Sequence, residues 1–185
     1  GGAKFENCSE NLLYTRPDLI EKVHTEFLEA GVDVIETNSF GGSEVVLSEF
    51  GIAEKTYDVN RKAAEIAKRV ANDFSTSERP RFVAGSIGPG TKLPTLGHIS
   101  FRELKKAYVE QVRGLIDGGS DILIVETCQD LLQTKAALMA IFEHFEKNRI
   151  KLPVIAQVTI ETFGTMLNGT EIGAALTALE PFPID

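Results

Sequence analysis

Glu126 is the carboxylate whose setting most suggests chemistry. It ends the run Asp121-Ile122-Leu123-Ile124-Val125 and is followed by Thr127-Cys128-Gln129-Asp130. A glutamate at the end of a buried strand can pair with a substrate ammonium or move a proton. It can equally form a salt bridge or cap the helix that starts near Leu131. Glu36 and Asn38 pose the same choice in Glu36-Thr37-Asn38-Ser39-Phe40-Gly41-Gly42. Asn38 either orients a substrate or ties its loop down through the side-chain amide. A third strand end carries Gly85-Ser86-Ile87-Gly88-Pro89-Gly90-Thr91-Lys92. A phosphate-binding loop would join its last glycine directly to the lysine and open a helix. Here Thr91 intervenes and Lys92-Leu93-Pro94 opens none, so no helix N-terminus awaits a phosphate. A substrate-facing loop or a structural bend remains.

Cys128 has no histidine near it in sequence and reads as a small buried hydrophobe. Cys8 lies in a polar stretch with Asn7 and Ser9, and the two cysteines with a histidine show no zinc-ligand spacing. No catalytic residue and no metal ligand is therefore assigned within the chain. His24 and His144 fall within charged helices and read as surface residues, while His98 sits in the loop Leu96-Gly97-His98-Ile99 with no evident partner.

The 185 residues carry 19 Lys+Arg against 27 Asp+Glu, a net charge of −8 that offers nucleic acid no basic face. No apolar run, Ile122 to Val125 among them, comes near the length needed to cross a membrane. The start Gly1-Gly2-Ala3-Lys4-Phe5-Glu6 does not read as a secretory signal. With no disulfide framework either, a cytoplasmic location is expected.

These candidates must be positioned by alternating strands and helices. Helix Pro17 to Ala30 has proline in its first turn and Gly31 at its end. Its expected buried face is Leu19, Ile20, Val23, Phe27 and Leu28. Strand Val32 to Thr37 lacks polar alternation, as expected for a strand buried on both faces. Helix Ala53 to Phe74, strand Phe82 to Ser86, helix Phe101 to Asp117 and strand Asp121 to Glu126 follow. Helix Leu131 to Glu146, strand Pro153 to Thr159 and a helix near Thr170 to Leu179 complete the pattern. Ala30-Gly31-Val32-Asp33-Val34-Ile35-Glu36-Thr37 is echoed by Gly118 to Thr127, each ending in Glu-Thr. In a β/α barrel both pairs would reach the rim where active sites sit. An eight-fold barrel needs about 250 residues. The expectation is thus an α/β fold, a (β/α)8 TIM barrel incomplete in this chain. One domain over residues 1–185, truncated at both ends, is expected, because Pro17 opens a helix with no strand before it and Asp185 falls where a strand should start. An open doubly wound parallel sheet is the alternative.

Four segments in order carry a resemblance: Leu13 to Ile20, Ala30 to Gly41, Val83 to Pro89, and Val125-Glu126-Thr127. Together they resemble the homocysteine S-methyltransferase family. Thr91-Lys92-Leu93-Pro94 and Gly164 to Thr170 are similar to its cobalamin-dependent branch rather than the betaine-using one. The resemblance implies methyl transfer to the homocysteine thiol, with zinc bound by three cysteines after the sixth and eighth strands. On that plan the chain spans roughly strands two to five. The zinc ligands then lie outside it, and Cys8 and Cys128 match neither zinc motif. Methylcobalamin would be the methyl donor, presented by another module, with downstream folate- and cobalamin-binding modules as partners. Glu126 matches the family glutamate that holds the amino acid end of homocysteine, and Asn38 and Ser86 match positions lining the same pocket. Gln157 would point near it from the strand Pro153 to Thr159. The isolated chain is expected to be inactive, and a non-catalytic half-barrel that binds a partner or acts as a scaffold is the alternative.

Overall fold

The computed structural model describes residues 5–184. Four strands, β1 (Val34–Glu36), β2 (Phe82–Ile87), β3 (Ile122–Cys128) and β4 (Val154–Val158), form one parallel sheet in the order of the sequence. Val34 pairs with Phe82, Ser86 with Ile124, and Ile124 with Ile155. Helices α4 (Thr56–Phe74), α5 (Phe101–Asp117) and α6 (Leu131–Asn148) make the crossovers. Ile35, Val83, Leu123 and Val154 are buried on the face those helices cover, whereas Val34, Phe82 and Ile155 on the other face are each more than a third exposed. A doubly wound sheet reverses strand order and covers both faces. This sheet does neither, and the chain is a segment of a parallel β/α barrel.

Local chemistry explains the element ends. Pro17 opens α2 (Pro17–Ala30), which follows the short α1 (Leu12–Thr15), and Gly31 closes it at φ 102°. Ser100 and Glu103 form a reciprocal capping box at the start of α5. Asp130 caps α6 by accepting from Leu132 N at 2.8 Å. α4 and α5 touch so closely that a Cβ at Gly114 would lie 2.5 Å from the Tyr57 carbonyl. Ala53–Lys55 is a 3-10 turn, so α4 starts at Thr56 rather than Ala53. α3 (Glu44–Glu49) escapes the sequence pattern because six residues are too few to show a helical period. β1 covers only half of the expected Val32 to Thr37, and α7 (Ile172–Leu179) begins two residues late.

Three expectations fail at the β1 side. Leu19, Val23 and Phe27 are 37%, 47% and 58% exposed, not buried, because α2 lies beside the edge strand β1, where no described strand covers that stripe. His24 is buried, not a surface residue, and its Nε2 has no hydrogen-bond partner. It faces β1, in a groove lined by Ile20, Phe27, Val34 and Glu36. The same openness leaves Val34 exposed where a strand buried on both faces was expected. No helix among the described residues is long and apolar enough to cross a membrane.

Candidate functional site

Side chains alternate along each strand, so the open face collects Val34 and Glu36 from β1, Ala84 and Ser86 from β2, Ile122, Ile124 and Glu126 from β3, and Ile155 and Gln157 from β4. The polar members lie toward the C-terminal ends of their strands. Ser86 donates its hydroxyl to Glu126 Oε1 at 2.5 Å. Glu36 lies near enough for the Glu126 charge to matter. Partial burial, and then that neighbouring carboxylate, push the Glu36 acid above its ordinary value. Among the described residues no cation forms a salt bridge with either glutamate.

Beneath Ser86 runs a closed hydrogen-bond circuit that the sequence did not reveal. The Ser86 amide donates to Thr37 Oγ1 at 2.9 Å, and the Ser39 hydroxyl donates to the Ser86 carbonyl at 2.7 Å. The Thr37 and Ser39 hydroxyls lie 2.6 Å apart. Because Ser39 spends its proton on Ser86, Thr37 must donate to Ser39. Gln111 from α5 adds a bond to the Ser39 carbonyl at 2.9 Å. Neighbouring rim loops are fixed similarly. Glu10 accepts from Gly41 N at 2.6 Å, Tyr108 donates to the Pro89 carbonyl at 3.0 Å, and Asp130 accepts from both Thr95 N and Thr95 Oγ1 at 2.8 Å.

Of the predicted residues, Ser86 and Glu126 are bonded to each other, and Gln157 shares their face on the adjacent strand. Asn38 turns elsewhere: its amide donates to the Ser9 carbonyl at 2.9 Å and ties the N-terminal segment to the β1 loop. His98 is exposed, with Nδ1 accepting from Leu93 N at 3.3 Å.

A further feature lies just after Glu126. From Val125 to Cys128 β3 advances three residues while its partner β4 advances two, from Ala156 to Val158, so β3 holds one extra residue. Thr127 sits in this bulge at φ 57°. Left-handed backbone at a β-branched residue costs of order 1–3 kcal/mol. Cys128 then points to the helix side, where it is buried, and that burial pushes its thiol up to about 11; its Sγ donates to the Glu126 carbonyl at 3.6 Å. It is no nucleophile near neutral pH. Among the described residues no three His, Cys, Asp or Glu side chains converge to hold a metal ion. Cys8 is buried beside Glu10, and burial raises its pKa as well. The donors present do not fit a zinc site.

Strand ends that gather carboxylate, hydroxyl and amide groups on one rim define a β/α-barrel enzyme segment. The homocysteine S-methyltransferase family model matches residues 2–185, and the chain belongs to that family. It is 49% identical over 181 residues to a methionine synthase of Mycobacterium tuberculosis and 48% identical to that of Mycobacterium leprae. Those alignments take in 98% of this chain but 15% of either relative, so the chain spans a small part of their length. The metallated form of the homocysteine methyltransferase MmuM from Escherichia coli superposes with a TM-score of 0.80 at 21% identity, over 95% of this chain and 63% of that one. Its apo form gives 0.73. These structures share the fold.

Proposed function

We propose that this chain supplies part of the homocysteine-binding barrel of a methionine synthase, which transfers a methyl group to the homocysteine thiol. The observation that carries the reading is the Ser86–Glu126 bond on the open barrel face. Glu126 receives the substrate ammonium, and Ser86 fixes which carboxylate oxygen remains free for it. Gln157 borders the same pocket from β4, and Asn38 shapes its edge by anchoring the β1 loop. A free thiol with a pKa of ~8.5 is mostly protonated at neutral pH and needs activation. The residues described here hold the amino acid end and offer no donor set for that activation. We place the zinc ligands, the methylcobalamin donor and the folate-binding module elsewhere in the longer polypeptide, and the compartment in the cytoplasm.

A non-catalytic half-barrel that docks a partner is the second reading, favoured by the open side of α2 and β1. Assays of zinc-dependent homocysteine methylation separate the two. The full polypeptide should turn over, residues 1–185 alone should not, and Glu126→Gln in the full polypeptide should raise the homocysteine KM. Turnover by residues 1–185 alone would refute the placement of the activating groups elsewhere. A full polypeptide with no methyl transfer favours the docking role.

A further inference from the structure

Three non-glycine residues among those described have positive φ: Asn7, Thr127 and Arg149. Asparagine tolerates this backbone, and Arg149 ends α6, where left-handed caps are common. Thr127 has neither excuse. It is β-branched, its side chain is exposed, and among the described residues that side chain makes no hydrogen bond that would reward the conformation.

The geometry it creates is specific. In a regular strand Glu126 on the open face would put Thr127 among the helices and Cys128 on the open face. Instead Cys128 is 1% exposed on the helix side, and Thr127 is the residue left over in the bulge. Regular pairing up to Val125 and Ala156 puts Glu126 on the open face, across from Ser86. The bulge begins directly after it, so the backbone that carries this carboxylate runs straight into the left-handed Thr127 before pairing resumes at Cys128 and Val158. Bulges increase local twist and turn the residues beside them, and strain kept without local compensation gathers where a functional group must be held.

We infer that Thr127, held left-handed in the β3 bulge, is a positioning residue that aims the Glu126 carboxylate at the substrate ammonium. This rests on the reading of Glu126 as the ammonium-holding group.

The test uses the full polypeptide that carries this chain and three variants. Calorimetry gives the Kd for L-homocysteine, turnover gives KM and kcat separately, and thermal unfolding reports the fold. Thr127→Gly makes the left-handed backbone free but no longer fixed. It should weaken Kd and raise KM roughly 5- to 20-fold, with kcat within about twofold and no fall in the unfolding midpoint. Thr127→Asn keeps a side chain that tolerates this conformation and should stay within about twofold of the parent. A Thr127→Gly protein with parental Kd overturns the inference, as does one whose midpoint falls. If Asn and Gly weaken binding equally, the threonine side chain itself matters and positioning through the backbone is refuted. Glu126→Gln serves as the separate control. An unchanged Kd there removes the substrate-site reading itself, whereas a weakened Kd beside a parental Thr127→Gly removes only the role of Thr127.

Discussion

Ser86 and Glu126 meet diagonally across the two central strands. Ser86 is in register with Ile124, two residues before Glu126, yet its hydroxyl reaches the Glu126 carboxylate at 2.5 Å. The contact depends on where Ser86 is held. Both of its backbone polar groups are taken by Thr37 and Ser39 from the loop after β1, so three strand ends share one network. Such a network is worth more than its separate bonds when every member is satisfied.

Ser86→Ala tests the visible bond. It removes one hydrogen bond to a charged group, worth about 1.5–3 kcal/mol, and should weaken homocysteine binding by roughly 10- to 100-fold in the full polypeptide. Unfolding in denaturant should change little, because Glu126 is only half-buried and water can replace the hydroxyl. Unchanged homocysteine affinity in a calorimetric titration would count against Ser86 as the group that orients Glu126.

Thr37→Val tests the circuit below it. The change is nearly isosteric, but it strips the Ser86 amide of its acceptor and the Ser39 hydroxyl of its donor in a buried place. A buried polar group left unsatisfied costs about 1–3 kcal/mol. Thr37→Val should therefore destabilise the fold more than Ser86→Ala does, a ranking that urea midpoints at constant m-value would establish.

His24 predicts a pH dependence. Burial holds its folded-state pKa below the ordinary histidine value, and Nε2 has no partner to favour the charged form. The unfolded chain therefore binds the proton more readily than the folded one. Stability is fully present above about pH 6.5, the unfolded value, and is lost as pH falls from there through the lower folded value. In His24→Leu that slope should be absent, seen as a flatter plot of unfolding free energy between about pH 5 and pH 7. Parallel plots for the two proteins would show that His24 binds its proton equally well folded and unfolded, so that burial does not depress it.

The alternation of elements and the three strand-end motifs were legible because glycine caps, Pro17 and apolar runs mark the same boundaries that backbone chemistry enforces. Glu126 was legible from its place at the end of an apolar run and Ser86 only through the family resemblance; the strands in fact run on to Cys128 and Ile87. The Thr37–Ser39–Ser86 circuit was not legible, since its partners are 47 and 49 residues apart and nothing in the order of hydroxyl residues announces a tertiary contact. The bulge at Thr127 was equally hidden, because nothing from Ile122 to Asp130 is a glycine that would signal a left-handed residue. The exposure of the α2 stripe escapes the sequence for a different reason. Periodicity shows that a helix has an apolar face, while the amount buried depends on whether something lies opposite it.

That uncovered face yields the last prediction. Val23 and Phe27 of α2 and Val34 of β1 expose apolar surface together, beside an edge strand with unpaired backbone groups. Edges of this kind pair with other chains, and apolar patches next to them favour the association. The isolated chain should therefore self-associate as concentration rises. Val23→Glu together with Phe27→Lys should reduce that association while shifting folding stability by no more than about 0.5 kcal/mol per site, as is usual for exposed positions. Light scattering over a concentration series reads the first effect and denaturant unfolding the second. A parent chain that stays monomeric throughout would mean that this side is already protected, and a variant that loses stability would mean that the two side chains contribute to the fold despite their exposure.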